Sequence, residues 1–594
     1  MKKIFHHGRC EIKVALSSFC RMNRKLRSLL LRKLCSIVPG LCIVSVLTGN
    51  VLIIGCSTST STDSYAPDLL FTDVTQEAGL NGVMHVNGGF GESWAPEIVG
   101  GGGAFFDYDN DGWQDILVIT GGAFEGEHLL GAHPALRLFR NLGDATFQEV
   151  THPVGFALLS AYSVGVTIGD YDNDGDQDIF VTTVGQDLLL RNDDGIFEDV
   201  AVDAGVGEQH EWSTSAMFFD GNRDGFLDLF VGTYVHWTPE DDVYCSFGGS
   251  KVYCTPEVYD GIASRYYENQ GDGTFKDVTQ QAGFWSGVDA SRDKTLGVAE
   301  LDVNQDGWID VVVANDTERD MLFVNQGDGT FVEKGVSSGI AYDQHGKPRA
   351  GMGIDVGAVD DSGEPSIFVG NFSDEMVGVY QHIGGGIFND RAAASRIGQP
   401  SFKTLTFGLV LFDVDLDTDL DVLIANGHVQ MHIAKIVDGV TFQQRPQLFL
   451  NDGTGLFSES HLPPPLADTY VGRGLATGDY DRDGDLDVLM VENNGPAHLW
   501  RNDLDSKQWL RVQLTGTVSN RDAYGAQIHL WSQGNMQVRR IRSGSSYLSH
   551  SESAAFFGLK AMPDSLMVHW PSGTQIMEYE LPINTTLNLV EDGQ

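Results

Sequence analysis

Most of the chain is written in short apolar runs closed off by polar bends. "VGVTI" stops at the acidic stretch "DYDNDGDQD" and "IFVTT" resumes after it; the frame returns around "DILVIT", "DLFVGT" and "DVVVAN". These runs are β-branched and too short for helices, so they read as strands. The acidic bend between them recurs in the register D-x-(D/N)-x-D-G-x-x-D, which makes repetition the first feature to resolve.

Six full copies are present. Their first, third, fifth and ninth positions are Asp107, Asp109, Asp111 and Asp115; Asp170, Asp172, Asp174 and Asp178; Asp220, Asn222, Asp224 and Asp228; Asp302, Asn304, Asp306 and Asp310; Asp413, Asp415, Asp417 and Asp421; and Asp479, Asp481, Asp483 and Asp487. A seventh copy, fifth in chain order, is faded: "AVDDSGEPS" has Ala358, Ser362 and Ser366 at ligand positions and is expected to hold no metal. Oxygen donors at this spacing converge on one hard cation if the chain wraps around it. Calcium takes six to eight oxygens, carboxylates among them, and the glycine at position 6 allows a sharp turn. The expectation is about six Ca2+ sites. They are not EF-hands, because position 12 of the first copy is Val118 where that loop needs Glu, and because strands flank the loop. A solvated turn needs one Asp or Asn, not four in fixed register. Thr418 replaces the glycine in the sixth loop, which predicts strain or weaker binding there.

A second element alternates with the first: "LFRNLGDATFQEVT" from Leu138, "LLRNDDGIFEDVA" from Leu189, "YYENQGDGTFKDV" from Tyr266, and further copies from Leu322, Val379, Leu448 and Leu499. Each is a strand, an Asn/Gly/Asp turn and a strand opening on Phe, the pattern of a hairpin. One repeat therefore holds four short antiparallel strands. Seven of them predict an all-β fold, a seven-bladed β-propeller, which leaves only short protected edges. "LLFTDVTQEAGL" (69–80) is a repeat tail with no repeat before it, and the seventh repeat lacks that tail. In a closed ring the first strand would complete the last blade.

These loops resemble FG-GAP (VCBS-type) repeats, the calcium-binding blades also found in the integrin α-subunit head. The region after residue 507 resembles the ASPIC/UnbV domain, through "NRDAYGAQIHL" (520–530), "RSGSSYLSHSE" (542–552), "FFGL" (556–559) and "DSLMVHWPSG" (564–573). The pairing, with "YCTPEVYDG" (253–261), is similar to bacterial relatives of the cartilage acidic protein. The resemblance implies a seven-bladed propeller over 67–507, a small C-terminal β domain over 508–592, and a secreted calcium-binding protein, with the loop Asp and Asn residues as ligands. It implies no established activity.

Composition changes the picture in one respect. The net charge is −44, and residues 1–55 hold ten Lys/Arg against one Glu, so the remainder carries −53. Six calcium ions would offset 12 of these. Such a surface repels nucleic acid and anionic lipid headgroups, and it suits solubility and cation binding. The basic leader "MNRKLRSLLLRK" (22–33) precedes apolar "SIVPGLCIVSVLTGNVLIIGC" (36–56), which reads as a signal sequence over 1–56. "IIGC" resembles a lipobox with Cys56 as the lipidated residue, followed by a polar tether (57–66). An uncleaved membrane anchor is the other reading, weakened by Pro39, Gly40, Gly49 and Asn50. Residues 1–21 are atypical of a signal, and Met22 offers an alternative start. Ser57 after the cysteine points to the outer membrane in a Gram-negative cell, so the protein is expected at the periplasm or cell surface, meeting the membrane only through its lipid.

Cys10, Cys20, Cys35 and Cys42 lie in the leader. Cys245 and Cys254 remain, and in an exported chain they read as a disulfide. They sit in the longest insertion, between Asp228 and Asp302, with Tyr234, His236, Trp237, Tyr244, Phe247, Tyr253 and Tyr259. A long aromatic loop on a rigid scaffold serves binding, or it is a stapled lid over blade edges; both readings stand at this point. No catalytic HExxH, GxSxG or Walker A motif is read, nor a dinucleotide GxGxxG followed by a helix. His210, His236, His428 and His550 lack a motif partner and are expected to be structural or surface residues; Arg521, Asp522, Tyr547 and Trp570 could line a site in the C-terminal domain, with packing and turn roles the expectation. The expected function is an exported, lipid-anchored, calcium-binding module for an extracellular protein or glycan. The alternative is an enzyme acting on glycan or envelope substrate in the propeller channel.

Overall fold

The structure, a computed structural model, describes residues 46–47, 50–51 and 70–592, apart from 89–92, 126–127, 130–133, 208–209, 248, 286–292, 462 and 505–506. The leader, the tether and Cys56 lie outside the described residues. So do Cys10, Cys20, Cys35 and Cys42. The chain divides into two units, Met1–Asp63 and Ser64–Gln594. In the first, Val46–Leu47 and Asn50–Val51 pair antiparallel.

In the second unit, each repeat forms four antiparallel strands. The first is Gly103–Phe106, Asp115–Ile119, Leu136–Asn141 and Phe147–Glu149, hydrogen-bonded in that order. The acidic loop joins its first two strands and the Asn/Gly turn its last two. The pattern repeats with innermost strands Ser163–Gly169, His210–Phe219, Thr295–Leu301, Gly351–Gly357, Thr406–Phe412 and Gly472–Gly478. We number these four-stranded sheets as blades 1 to 7. The innermost strands neighbour one another in cyclic order, and the Gly472–Gly478 strand lies beside Gly103–Phe106. Blade 7 takes its outer strand from the other end of the chain: Phe71–Asp73 pairs with Ala497–Asn502.

The inner two strands of a blade are buried on both faces; all seven residues of Ser163–Gly169 are buried. That is why they read as continuous apolar runs and not as alternating ones. Their side chains fill the spaces between blades. Leu117, Ile119 and Leu138 meet Ile168, Ile179 and Val181 between blades 1 and 2, and Val298, Val311 and Phe323 meet Met217 and Phe230 between blades 3 and 4. One feature departs from the regular pattern. Asp178–Gln186 and His210–Phe219 run long and pair with each other at Val184–Gln186 and His210–Trp212, fusing blades 2 and 3 into one eight-stranded sheet. The repeat alone did not reveal this, because the extra residues lie beyond the shared register.

The C-terminal region holds two small sheets. Gln508–Thr515 pairs with Ala555–Leu559 and, in parallel, with Thr586–Val590. Asn535–Arg540, Gln527–Ser532, Ser565–His569 and Gln575–Tyr579 form the other sheet in that order. Their apolar faces share one core with blades 2 and 3.

Between the two sheets, residues 541–553 enter the propeller axis and touch every blade. His550 exchanges backbone hydrogen bonds with Gly103 and Phe105 of blade 1. Val166 of blade 2 donates to the Leu548 carbonyl, and Ile354 of blade 5 to that of Ser546. Ser543 Oγ donates to the Phe218 carbonyl of blade 3 at 2.6 Å. Gly544 lies against Ala299 of blade 4, the Tyr547 ring packs on Phe407 of blade 6, and Glu552 N donates to the Thr477 carbonyl of blade 7. The fit needs glycine at residue 102, where a Cβ would stand 1.6 Å from the Leu548 carbonyl oxygen. The axial channel is filled by the chain itself.

Candidate metal centres

The six full loops share one backbone conformation. Position 6 has positive φ in each: Gly112, Gly175, Gly225, Gly307 and Gly484 between 84° and 104°, and Thr418 at 88°. Thr418 therefore holds the glycine geometry with a β-branched side chain, a strained arrangement. Local hydrogen bonds set the rest. In the second loop the Asp170 carboxylate accepts the amides of Asp174 and Gly175, and Asp174 accepts that of Asp176. The ninth position clamps the loop to its blade: Asp178 accepts the amides of Tyr171 and Asn192.

Four loops bring three carboxylates together, with one oxygen from each mutually within 4.8 Å: Asp107, Asp109 and Asp115; Asp170, Asp172 and Asp178; Asp413, Asp415 and Asp421; and Asp479, Asp481 and Asp483. Asp111, Asp174, Asp417 and Asp487 lie outside these triplets. In the third and fourth loops Asn occupies position 3, and its amide turns onto position 5: Asn222 Nδ2 donates to Asp224 and Asn304 Nδ2 to Asp306. Asp220, Asp228, Asp302 and Asp310 flank those pairs without converging to the same degree. The faded fifth loop is occupied by its own polar groups. Asp360 accepts from Ser362 and Gln381, and Glu364 pairs with His382.

The convergent loops fit a cation on two grounds. First, one oxygen of Asp109, Asp172, Asp415 and Asp481 is buried with no hydrogen-bond partner; these are all position 3. A buried, unpartnered carboxylate oxygen is costly unless a cation or donor meets it. Second, the carboxylates resist ionising. Burial and the neighbouring carboxylates push Asp107 up to about 6, and burial with the nearby Asp522 pushes Asp170 up to about 8. Burial raises Asp115 to about 8 and Asp413 to about 7. The donors are all oxygen, the set a hard divalent cation takes. In the first loop a basic side chain already stands close: Arg140 reaches Asp109 at 2.7 Å and Asp111 at 2.9 Å.

Two sets of contacts at these loops were not foreseen from the sequence. The Asn that ends the third strand of a blade staples it to the preceding blade. Asn192 Nδ2 donates to the Tyr108 carbonyl at 2.8 Å, and Asn141, Asn269, Asn325, Asn451 and Asn502 make the equivalent bond to Tyr480, Tyr171, Gly221, Val359 and Val414. The repeated "RN", "EN" and "VN" before each turn was the available signal. Blade 5 has His382 there. The second set comes from the C-terminal region, which covers the loops. Asp522 accepts the Asp170 amide at 2.7 Å, Glu552 accepts that of Asp479 at 2.9 Å, and Lys560 stands 3.7 Å from Asp417. Arg521 and Asp522 are thus loop contacts, while Tyr547 and Trp570 are buried packing residues.

Cys245 and Cys254 are bonded. Most of the insertion around them is packed inward: Tyr234, Trp237 and Tyr259 are buried in one cluster with Trp212, whereas Tyr244 is exposed. Tyr253 donates to Glu97. The side chains of His210 and Phe247 lie outside the described residues. His428 and His550 are buried, and burial lowers both to about 4; His236 is exposed near Asp241. The string "GVSSG" (335–339) fits the G-x-S-x-G pattern, but it is a one-turn helix after a hairpin strand, and its Ser337 hydroxyl donates to the Lys334 carbonyl.

Comparison with known proteins agrees with this architecture. The FG-GAP-like repeat matches residues 107–181, 170–231, 302–369 and 436–490, three of the four matches opening on the first aspartate of a loop, and ASPIC and UnbV matches 516–594. The chain carries FG-GAP-like repeats and a C-terminal ASPIC/UnbV domain. It is homologous to cartilage acidic protein 1. The mouse (Mus musculus) protein is 26% identical over 499 residues, covering 80% of this chain and 71% of its own length. The human (Homo sapiens) protein is also 26% identical, with 80% and 69% covered. Among solved structures, an Agrocybe aegerita lectin described as recognising non-reducing terminal N-acetylglucosamine aligns at 16% identity and a TM-score of 0.37, over 66% of this chain and 86% of its own. No described helix is long and apolar enough to cross a membrane.

Proposed function

We propose that this protein is an exported, lipid-anchored, calcium-binding propeller that serves as a binding module at the cell envelope. The observation that carries the calcium reading is the set of buried position-3 carboxylate oxygens without a partner. Ca2+ would be held by the Asp residues at positions 1, 3 and 9 of the first, second and sixth loops and by Asp479, Asp481 and Asp483 of the seventh. Bound there, it supplies positive charge that lets crowded carboxylates stay ionised. The ASPIC/UnbV domain rests on the same loops through Asp522, Glu552 and Lys560, so calcium would also steady its seat. The axial space that a channel enzyme would use is filled by residues 541–553, which favours binding over catalysis. The basic leader, "LIIGC" and the Cys245–Cys254 bond support export and lipidation at Cys56.

The test is a protein and glycan array probed with the full chain, once loaded with calcium and once treated with chelator. Selective binding that disappears with chelator supports the module. Absence of binding to every array member, or a hydrolase activity on the arrayed glycans, overturns it.

A further inference from the structure

A cavity of about 670 Å³ lies between blades 4 and 5 and the Asn535–Arg540/Gln527–Ser532/Ser565–His569 sheet. Glu300, Arg540, Arg542, His529, His569 and Trp570 line it. The volume is in the range of small-molecule sites. Its polar groups are notable for what they lack. Glu300 is 1% exposed, yet neither carboxylate oxygen has a hydrogen-bond partner. The Nε2 atoms of His529 and His569 and the Trp570 indole nitrogen are also buried without one. Buried polar groups are nearly always paired, so each such atom needs an explanation.

The two arginines nearest in charge to Glu300 differ in availability. Arg542 is committed, to the Val356 carbonyl at 2.6 Å and to Asp355 at 2.5 Å. Arg540 donates only through Nη1, to the Gly525 carbonyl at 3.2 Å, and forms no ion pair with a carboxylate among the described residues. The wall therefore carries an unmet acceptor, Glu300, an unmet donor, the Trp570 indole, and the partly exposed Arg540 guanidinium, which has no carboxylate partner among the described residues. Two imidazoles 4.9 Å apart, able to donate or accept, complete it.

Ionic ligands fit poorly. A metal ion would face guanidinium groups, and no three ligand groups converge here among the described residues. A phosphate or sulfate would face Glu300. A hydroxyl group both donates and accepts, so a molecule with several of them satisfies both kinds of wall at once. We propose that this cavity is a saccharide-binding site, in which Glu300 accepts two sugar hydroxyls and Arg540 donates to neighbouring sugar oxygens. The proposal rests on the binding-module reading and names its ligand class and its place.

The experiment is isothermal titration of the calcium-loaded full chain with maltose, cellobiose, chitobiose and lactose, and with glutamate as an anionic counter-probe. Glu300→Gln keeps the side-chain shape, and Arg540→Gln changes a partly exposed residue. At least one disaccharide is expected to bind, and each variant should weaken it at least tenfold while keeping the wild-type calcium content and melting midpoint. If Glu300→Gln alone shifts the midpoint, Arg540→Gln decides. The proposal is overturned if no disaccharide binds, if glutamate binds in their place, or if the folded variants bind sugar as the wild type does. Array binding that survives both substitutions removes this cavity but leaves the module reading standing, whereas loss of all array binding by the wild type removes both.

Discussion

Metal-free protein is expected to lose stability as the pH rises from 6.5 to 8.5, and calcium should lessen that loss. Burial, followed by crowding with other carboxylates, holds Asp170 at about 8 and Asp220 at about 7. Burial likewise holds Asp115 at about 8, and Asp310 and Asp413 at about 7. In the unfolded chain these groups ionise near the ordinary carboxylate value of about 3.9. Across this window the folded state therefore keeps protons that the unfolded state has already released. Stability must then fall with rising pH, by up to about 1.4 kcal/mol per pH unit for each group still protonated in the fold. With two groups near 8, two pH units amount to several kcal/mol, a large part of a total of about 5–15 kcal/mol. Three buried histidines act in the opposite sense: burial lowers His85 to about 3 and His428 and His550 to about 4, so most of their effect is complete by pH 6.5. His498 acts in the same sense as the carboxylates, because its bonds to Asp73 and Glu492 outweigh burial and raise it to about 9, and this part of the loss persists in calcium. Bound calcium stabilises the ionised carboxylates, and each site adds RT ln(1 + [Ca]/Kd), about 2.7 kcal/mol at a hundredfold excess over Kd. The assay is the denaturation midpoint at pH 6.5, 7.5 and 8.5, with and without excess calcium. A midpoint that is flat with pH in metal-free protein, or that falls equally in calcium, refutes the reasoning.

Four shorter tests bear on other parts of the molecule. Asp172→Ala should lose one bound calcium by elemental analysis, whereas Ser362→Ala in the faded loop should lose none. Asn192→Ala removes the donor shared by the buried Tyr108 and Gln177 carbonyls; a cost of about 2–4 kcal/mol is expected from two unpaired acceptors, read from denaturant unfolding, and no change would show that water replaces the staple. Thr418→Gly should stabilise the sixth loop by about 1 kcal/mol through relief of its positive φ, with an unchanged or lowered midpoint counting against it. Mass spectrometry of the mature N-terminus should show a lipid-modified Cys56, and an unmodified N-terminus elsewhere removes the anchor.

The sequence by itself determined what is decided within one repeat. The nine-residue acidic register carries its own conformation, because in five of the six full loops the first-position carboxylate is met by amides four and five residues on, as Asp170 is by Asp174 and Gly175. The strands around it follow from short apolar runs, the hairpins from the Asn/Gly turns, and the completion of blade 7 by Phe71–Asp73 from an orphan tail. Those are local interactions repeated seven times, and repetition made them legible. Tertiary structure alone decided what depends on residues hundreds of positions apart. Residues 541–553 look like an ordinary polar loop until the ring closes around them and offers unpaired backbone groups on its inner strands. The blade-to-blade bond of Asn192 needs the Tyr108 carbonyl, 84 residues away, to be brought within 2.8 Å. The unpartnered Glu300 is visible only once that domain has walled it off from water.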